Sequence, residues 1–310
     1  MERINYHRGG RAADAPLHRT CGTVAVNQTL MEQYPQFRAN LLELEQSPQI
    51  LRFSGKVEPE EFVIKVVVHV VYRTDQENVA DQQIQSQIDV LNRDFGATNV
   101  DIGNVPEVWK NFPMDSHIRF KLASLDPEGN ESNGITRTKT DKESFGQYDS
   151  VKFGDQGGAD AWPTDRYLNI WVCNLSGGLL GYAQFPGGPI ETDGVVILYR
   201  AFGTTGTAEA PFNLGRTCTH EVGHFLNLRH IWGDTESCLG TDHVDDTPTQ
   251  QLPNYNKPTF PHLSCDNGPH GDMFMNYMDY VDDDTMVFFT PGQVARMHAA
   301  LSGPRASLIA

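Results

Sequence analysis

The feature that most constrains this chain is the run His-Glu-Val-Gly-His-Phe-Leu-Asn-Leu-Arg-His at 220–230. His220 and His224 are four apart, so a helix through them puts both imidazoles on one face. Glu221 follows His220 and can reach a water held by the ion without being a ligand itself. This is the arrangement of zinc hydrolases, in which histidines hold the metal and the carboxylate takes the water's proton. His230 comes six residues after His224. Asn227 tolerates the left-handed conformation better than most non-glycine residues, so it can end the helix and let His230 arrive as a third ligand. With 11 histidines in 310 residues, a chance His-Glu-x-x-His is roughly a few per cent, and a third histidine at a fixed offset lowers that about thirtyfold.

Charge and composition narrow the setting. Lys and Arg total 24 against 40 Asp and Glu, a formal charge of -16. That disfavours nucleic-acid and anionic-membrane partners, both of which select basic patches. It suits an exported protein, or one that binds hard cations through carboxylates. The most apolar run, FVIKVVVHVVY at 62–72, is strand-length and carries Lys65 and His69, so nothing approaches a bilayer span. Five cysteines without a CxxC argue against a zinc ribbon, a dithiol redox site and a disulfide scaffold. The odd count leaves at least one thiol outside any intramolecular pair. Nor is there a GxSxG or a cysteine in a nucleophile setting. The first residues lack the apolar core of a signal peptide, so either the protein stays inside the cell or an export signal has been removed or replaced.

Along the chain, residues 1–20 are polar and basic and read as an extended arm. Residues 30–46 have a short helical pattern that Pro35 interrupts, and 47–61 mix Ser, Pro, Gly and charge as an exposed linker does. The β-branched run at 61–72 reads as a buried strand. Ile84, Ile88, Leu91 and Phe95 mark one face of a helix over 81–95, stopped by Gly96. Further strands are expected at 117–124, 168–175 and 194–199, with a possible edge strand in the Gly-rich 175–188. Helices follow at 214–228 and 290–303, separated by about fifty residues without regular pattern. The reading is an α/β half followed by an irregular half.

The sequences HEVGHFLNLRHIWGD and NYMDYVDDD (276–284) resemble the pappalysin family of metzincin zinc metallopeptidases over roughly residues 60–303. The resemblance implies a metzincin-like α/β domain: a twisted mixed sheet with an active-site helix and an irregular C-terminal half, preceded by a prosegment. The implied division is a prosegment over 1–55 and a catalytic domain over 56–310, its upper part about 56–227 and its lower part about 228–310. By resemblance His220, His224 and His230 are the zinc ligands and Glu221 is the general base. Met278 is the methionine of the turn beneath the metal, and Tyr280 steadies the reaction intermediate. From the residues alone, Met278 would be ordinary core filling and Tyr280 a structural aromatic. The chain departs from the wider metzincin pattern in carrying Asn227 where Gly is usual.

The family also suggests specificity and latency. In its ulilysin-like members an Asp six residues after the turn methionine floors the S1′ pocket, here Asp284. Cleavage is then expected on the N-terminal side of Arg, with Lys next, because a buried anion needs a cationic partner. The Asp-rich loop 233–249 has donors that suit calcium, though a solvated acidic loop is the plain alternative. The family favours calcium, with Asp242, Asp245, Asp246 and Thr247 as contributors. It also implies a Cys238–Cys265 disulfide, while Cys173 and Cys218 read as buried free thiols. Cys21 stands alone in the arm. It is either incidental or a thiolate that occupies the zinc and holds a precursor inactive. Self-processing in the linker would then fall before Arg52 or Lys56. These implications together describe a secreted zinc endopeptidase in zymogen form, acting on proteins and peptides, with its own prosegment as intramolecular inhibitor. The rival is a non-catalytic, metal-stabilised binding module on the same fold, for which Glu221 and Tyr280 would have no use.

Overall fold

The computed structural model describes residues 16, 18–46 and 61–309. The proposed processing positions Arg52 and Lys56 lie outside the described residues. At the centre is β1 (Phe62–Tyr72), whose Ile64, Val66, Val68, Val70 and Val71 are fully buried. A nearly continuous apolar run suits a strand covered on both faces. β1 pairs in parallel with β2 (Ile118–Leu122) along its first half and β3 (Ile135–Lys139) along its second, and with β4 (Leu168–Cys173) on its other side. β5 (Gly181–Ala183) is the edge strand, antiparallel to β6 (Val195–Leu198), which joins β4 in parallel. The order β2-β1-β4-β6-β5, with β3 also on β1, makes a six-stranded mixed sheet. His69 within β1 is a satisfied core histidine: its ring nitrogens bond Thr136 and Asn169 at 2.8 Å each, and burial lowers its pKa to about 4.

Two helices precede the sheet. α1 (Thr23–Gln33) begins earlier than the sequence pattern predicts, and Pro35 opens α2 (Pro35–Glu45) rather than merely interrupting a single helix. Proline suits a first helical turn, where no amide donor is needed. The pattern hides α1 because only Val26 and Leu30 are strong apolar anchors, and its other buried positions are the polar Thr23 and Asn27. These two bond strand β5 and the residues after it: Thr23 Oγ1 accepts from the Ala183 amide, and Asn27 bonds Ala183 O and the Phe185 amide.

The remaining elements frame the site. α3 (Asp81–Phe95) buries the predicted face of Ile84, Ile88, Leu91 and Phe95 and is followed by Gly96. α4 (Arg216–Phe225) lies against β5, β6 and α3. α5 (Pro291–Leu301) is capped by a reciprocal Thr290–Gln293 pair. Between α4 and α5 the only strands among the described residues are the short β7 (Tyr255–Asn256) and β8 (Tyr280–Val281). The Cys238–Cys265 disulfide implied by resemblance spans this region, and Cys173 and Cys218 are free and buried. Among the described residues no helix is long and apolar enough to cross a membrane.

Candidate active site

All ten residues of α4 are buried, so the helix delivers its histidines to the interior. Gly223 allows the approach of the turn beneath it: a Cβ there would lie 2.6 Å from Met278 Sδ. The end of α4 is a Schellman motif. The Leu228 amide bonds Gly223 O and the Asn227 amide bonds His224 O, both at 2.9 Å, with Asn227 at φ 73°. Asn227 thus adopts the left-handed conformation expected of it, and the chain returns with His230.

The Nε2 atoms of His220, His224 and His230 lie 3.0–3.2 Å apart. Each Nδ1 is committed elsewhere: His220 to Tyr277 O at 2.7 Å, His224 to Leu228 O at 2.7 Å, and His230 to Asp234 Oδ1 at 2.5 Å. Those acceptors fix the proton on Nδ1, so the three Nε2 lone pairs face one another. Burial, then mutual repulsion among the imidazoles, holds His220 and His224 well below the ordinary histidine pKa. Three converging imidazole donors fit a zinc ion, and Cys21 Sγ lies with their ligand atoms inside 4.8 Å of one another. This is the one such convergence of His, Cys, Asp or Glu among the described residues.

Glu221 sits beside the cluster. Burial raises its pKa to about 7 against two donors on its Oε2: Cys21 Sγ at 3.3 Å and Thr23 Oγ1 at 2.9 Å. Burial, then the charge of Glu221, likewise pushes the Cys21 thiol up. With a cation held among the imidazoles, the Cys21 thiol would instead favour the thiolate. The Tyr280 hydroxyl lies 3.5 Å from Cys21 O, its ring edge-on to His230 and Trp232.

Residues 20–22 lie along β5. Leu180 N bonds Thr20 O, Gly22 N bonds Gly181 O, and Cys21 bridges Gly181 in parallel. Two residues before Cys21, Arg19 enters a closed pocket. Its guanidinium reaches Asp283 Oδ1 at 2.5 Å, Thr217 Oγ1 at 2.9 Å and Val281 O at 3.2 Å, over the Phe212 ring. Asp283 Oδ2 is held by the Leu214 amide.

This geometry corrects the expectation for Asp284. That residue is half exposed and pairs with Lys257 at the surface. Asp283, one position earlier, is fully buried and floors the pocket, where its carboxylate accepts from the Leu214 and Arg216 amides. Sequence reasoning missed Arg19, Thr23 and Thr217 as well. The adjacency of Arg19 and Thr23 to Cys21 was the available signal for the first two, while Thr217 carried none.

The Asp-rich loop divides. Thr247 Oγ1 lies 2.8 Å from Asp242 Oδ2 and 2.9 Å from Val244 O, so three oxygens gather there. Asp246 is not among them: it accepts from Thr290 Oγ1 and the Gly292 amide at the start of α5, where a carboxylate is favoured. Asp245 is exposed.

The chain is similar to several known proteins. The family model described as pregnancy-associated plasma protein-A matches residues 154–302. An extracellular metalloprotease of Arthroderma otae is 32% identical over 78% of this chain and 79% of its own length, and one of Pyricularia oryzae is 32% identical over 78% and 76%. A structure of Tannerella forsythia mature mirolysin in complex with a cleaved peptide superposes with a TM-score of 0.79 at 52% identity, covering 81% of this chain and 96% of that one. A promirolysin variant from the same organism gives 0.85 at 48% identity, covering 94% and 97%. The chain belongs to the pappalysin family of metzincin zinc metalloendopeptidases.

Proposed function

We propose that this chain is the secreted, latent form of an endopeptidase that cuts on the N-terminal side of Arg, and secondarily Lys. The observation that carries the reading is the joint placement of Arg19 on Asp283 and of Cys21 on the histidine cluster. The Arg19 pocket is read as S1′. A fully buried carboxylate favours a cation that fills the space, and Thr217 Oγ1 and Val281 O suit the fork of a guanidinium better than an ammonium. The prosegment blocks the cleft in reverse. Its pocket residue precedes its metal-facing residue, whereas in a substrate cut before Arg the pocket residue follows the reacting carbonyl. A substrate must therefore run opposite to the prosegment, antiparallel to β5.

His220, His224 and His230 would hold the zinc, which would supply Lewis acidity toward a water and the scissile carbonyl. Once Cys21 and Thr23 leave, Glu221 Oε2 is free to accept the proton of the attacking water and hand it to the departing amine nitrogen. The Ala183 amide, taken by Thr23 Oγ1 in the precursor, becomes available to a substrate backbone. The Tyr280 hydroxyl, close to a prosegment carbonyl here, donates to the carbonyl oxygen as it gains charge, so its loss lowers turnover more than binding.

Calcium on the 242–247 loop belongs to the same proposal. The gathered oxygens of Asp242, Val244 and Thr247 support it, as does burial that raises Asp242 to about 7 in spite of the Thr247 hydrogen bond and the Arg296 charge. A calcium-dependent rise in melting temperature, abolished by Asp242→Asn, tests it.

The decisive experiment follows intact mass and N-terminus during incubation with zinc and calcium, for the wild-type chain and Glu221→Ala. Wild type is expected to lose about 50 residues at an Arg or Lys boundary while Glu221→Ala stays whole. Identical behaviour of the two chains overturns the reading.

A further inference from the structure

One guanidinium ties three distant segments together. Arg296, on α5 and 2% exposed, donates to Asn227 O from Nε at 3.3 Å and Nη2 at 3.1 Å. It reaches His243 O at 3.4 Å, and it grips both carboxylate oxygens of Glu45, the last residue of α2, at 2.9 and 2.7 Å. Arg229, the residue before the third histidine, contacts the same carboxylate at 3.5 Å. Among the described residues neither arginine has another ion pair.

When the prosegment leaves, Glu45 leaves with it. The trimmed enzyme then holds two guanidiniums that had met at one carboxylate and that lose the cover of α2 together with it. Two like charges held at one place favour an anion that rejoins them. Glu45 shows that the space admits a carboxylate approached by both arginines.

The position of the pair in the cleft follows from the course of the prosegment. From the pocket at Arg19 it passes the metal site at Cys21, then tracks Ala183 and Phe185 through Asn27 and Gly187 through Asn40. That is the side a substrate covers before its scissile bond. The Phe185 ring lies between the two regions, edge-on to His224 at 5.7 Å and beneath the Arg229 guanidinium at 5.2 Å. These two contacts keep the Arg229 guanidinium within about 11 Å of the His224 ring, at most about three residues of extended chain.

We infer that Arg229 and Arg296 form an anion subsite of the trimmed enzyme, which takes an acidic side chain of the substrate on the N-terminal side of the scissile bond. The inference rests on the proposed removal of the prosegment and on the Arg19 pocket taking the residue after the cut. The trimmed state is a folded one in a relative, since the mature mirolysin structure aligns over 81% of this chain.

The test uses self-trimmed wild-type enzyme separated from its prosegment. It is given peptides with one internal Arg, carrying a single Glu or Gln at each position from two to five residues before that bond. At one position Glu is expected to raise kcat/KM about fivefold or more over Gln. In Arg229→Gln the Glu-to-Gln ratio at that position is expected to fall to about one, while the preference for Arg over Leu after the cut persists. Arg229→Lys should retain part of the ratio. A ratio near one at every position in wild type overturns the inference, as does a ratio that survives Arg229→Gln. If no peptide is cut, or the cut is not before Arg, the proteolytic reading itself fails and this inference with it.

Discussion

Arg19 and Asp283, 264 residues apart in the chain, form a fully buried ion pair with 2.5 Å between Nη2 and Oδ1. A carboxylate so enclosed, held also by the Leu214 amide, is poised for a guanidinium. Removing one partner of a buried, hydrogen-bonded charge pair costs about 2–5 kcal/mol. In the trimmed enzyme, Asp283→Asn is therefore expected to lower kcat/KM for peptides with Arg after the cut by at least about thirtyfold. The surface change Asp284→Asn should alter it less than about threefold. Paired assays with Arg and Leu peptides decide the matter, and a larger loss in Asp284→Asn would reassign the pocket.

Latency is expected to depend on Thr23 as well as Cys21. The Thr23 hydroxyl donates to the Glu221 carboxylate and accepts from the edge-strand amide of Ala183, so Thr23→Val breaks both contacts at nearly constant volume. Leaving buried groups unpaired costs about 1–3 kcal/mol. The Thr23→Val precursor should therefore trim itself several-fold faster than wild type, and Cys21→Ala faster still. A Cys21→Ala precursor as inert as wild type would count against the thiol's role.

Asn227 offers a test of the turn that brings in His230. Its backbone is left-handed, and both polar atoms of its side chain are buried without a hydrogen-bond partner. Glycine meets the backbone demand and removes the unpaired amide, so Asn227→Gly should melt at or above the wild-type temperature. Asn227→Ala keeps a Cβ in the left-handed region and should lose about 1 kcal/mol, with Asn227→Val losing more. Thermal melts with zinc present rank the three, and a lower melt for Gly than for Ala would contradict the account.

Metal removal should separate holding the ion from using it. At a thousandfold excess over its Kd, a metal that binds only the folded chain adds about 4 kcal/mol. A chelator is expected to lower the melting temperature of wild type and of Glu221→Ala alike, whereas His230→Ala, short of one ligand, should respond much less. Glu221→Ala should keep its zinc, measured by metal content, while losing about a hundredfold or more in turnover after trimming by an added protease. Loss of zinc from Glu221→Ala would make that residue a ligand rather than a base.

The parts of this molecule that were legible in advance are those whose cause is local. The face of α3 follows from four apolar residues at helical spacing, and the buried strand β1 from its β-branched run. The helix of His220 and His224, its stop at Asn227 and the return of His230 follow from spacing and from one residue's tolerance of a positive φ. α1 was not legible, since it is held through Thr23 and Asn27 to atoms of β5 and the residues just after it, which no periodicity records. The same limit applied to the acidic residues. In Asp282, Asp283 and Asp284 the composition announced a carboxylate, but the Leu214 and Arg216 amides and Arg19 decided which one is held inside. In the 242–247 loop, the start of α5 took Asp246 away from the gathered oxygens. Sequence by itself determined the metal-binding helix and its chemistry, because helix period and backbone preference act over a few residues. Only the tertiary structure decided which charges meet, because Arg19 with Asp283 and Glu45 with Arg296 are joined by packing between segments far apart in the chain.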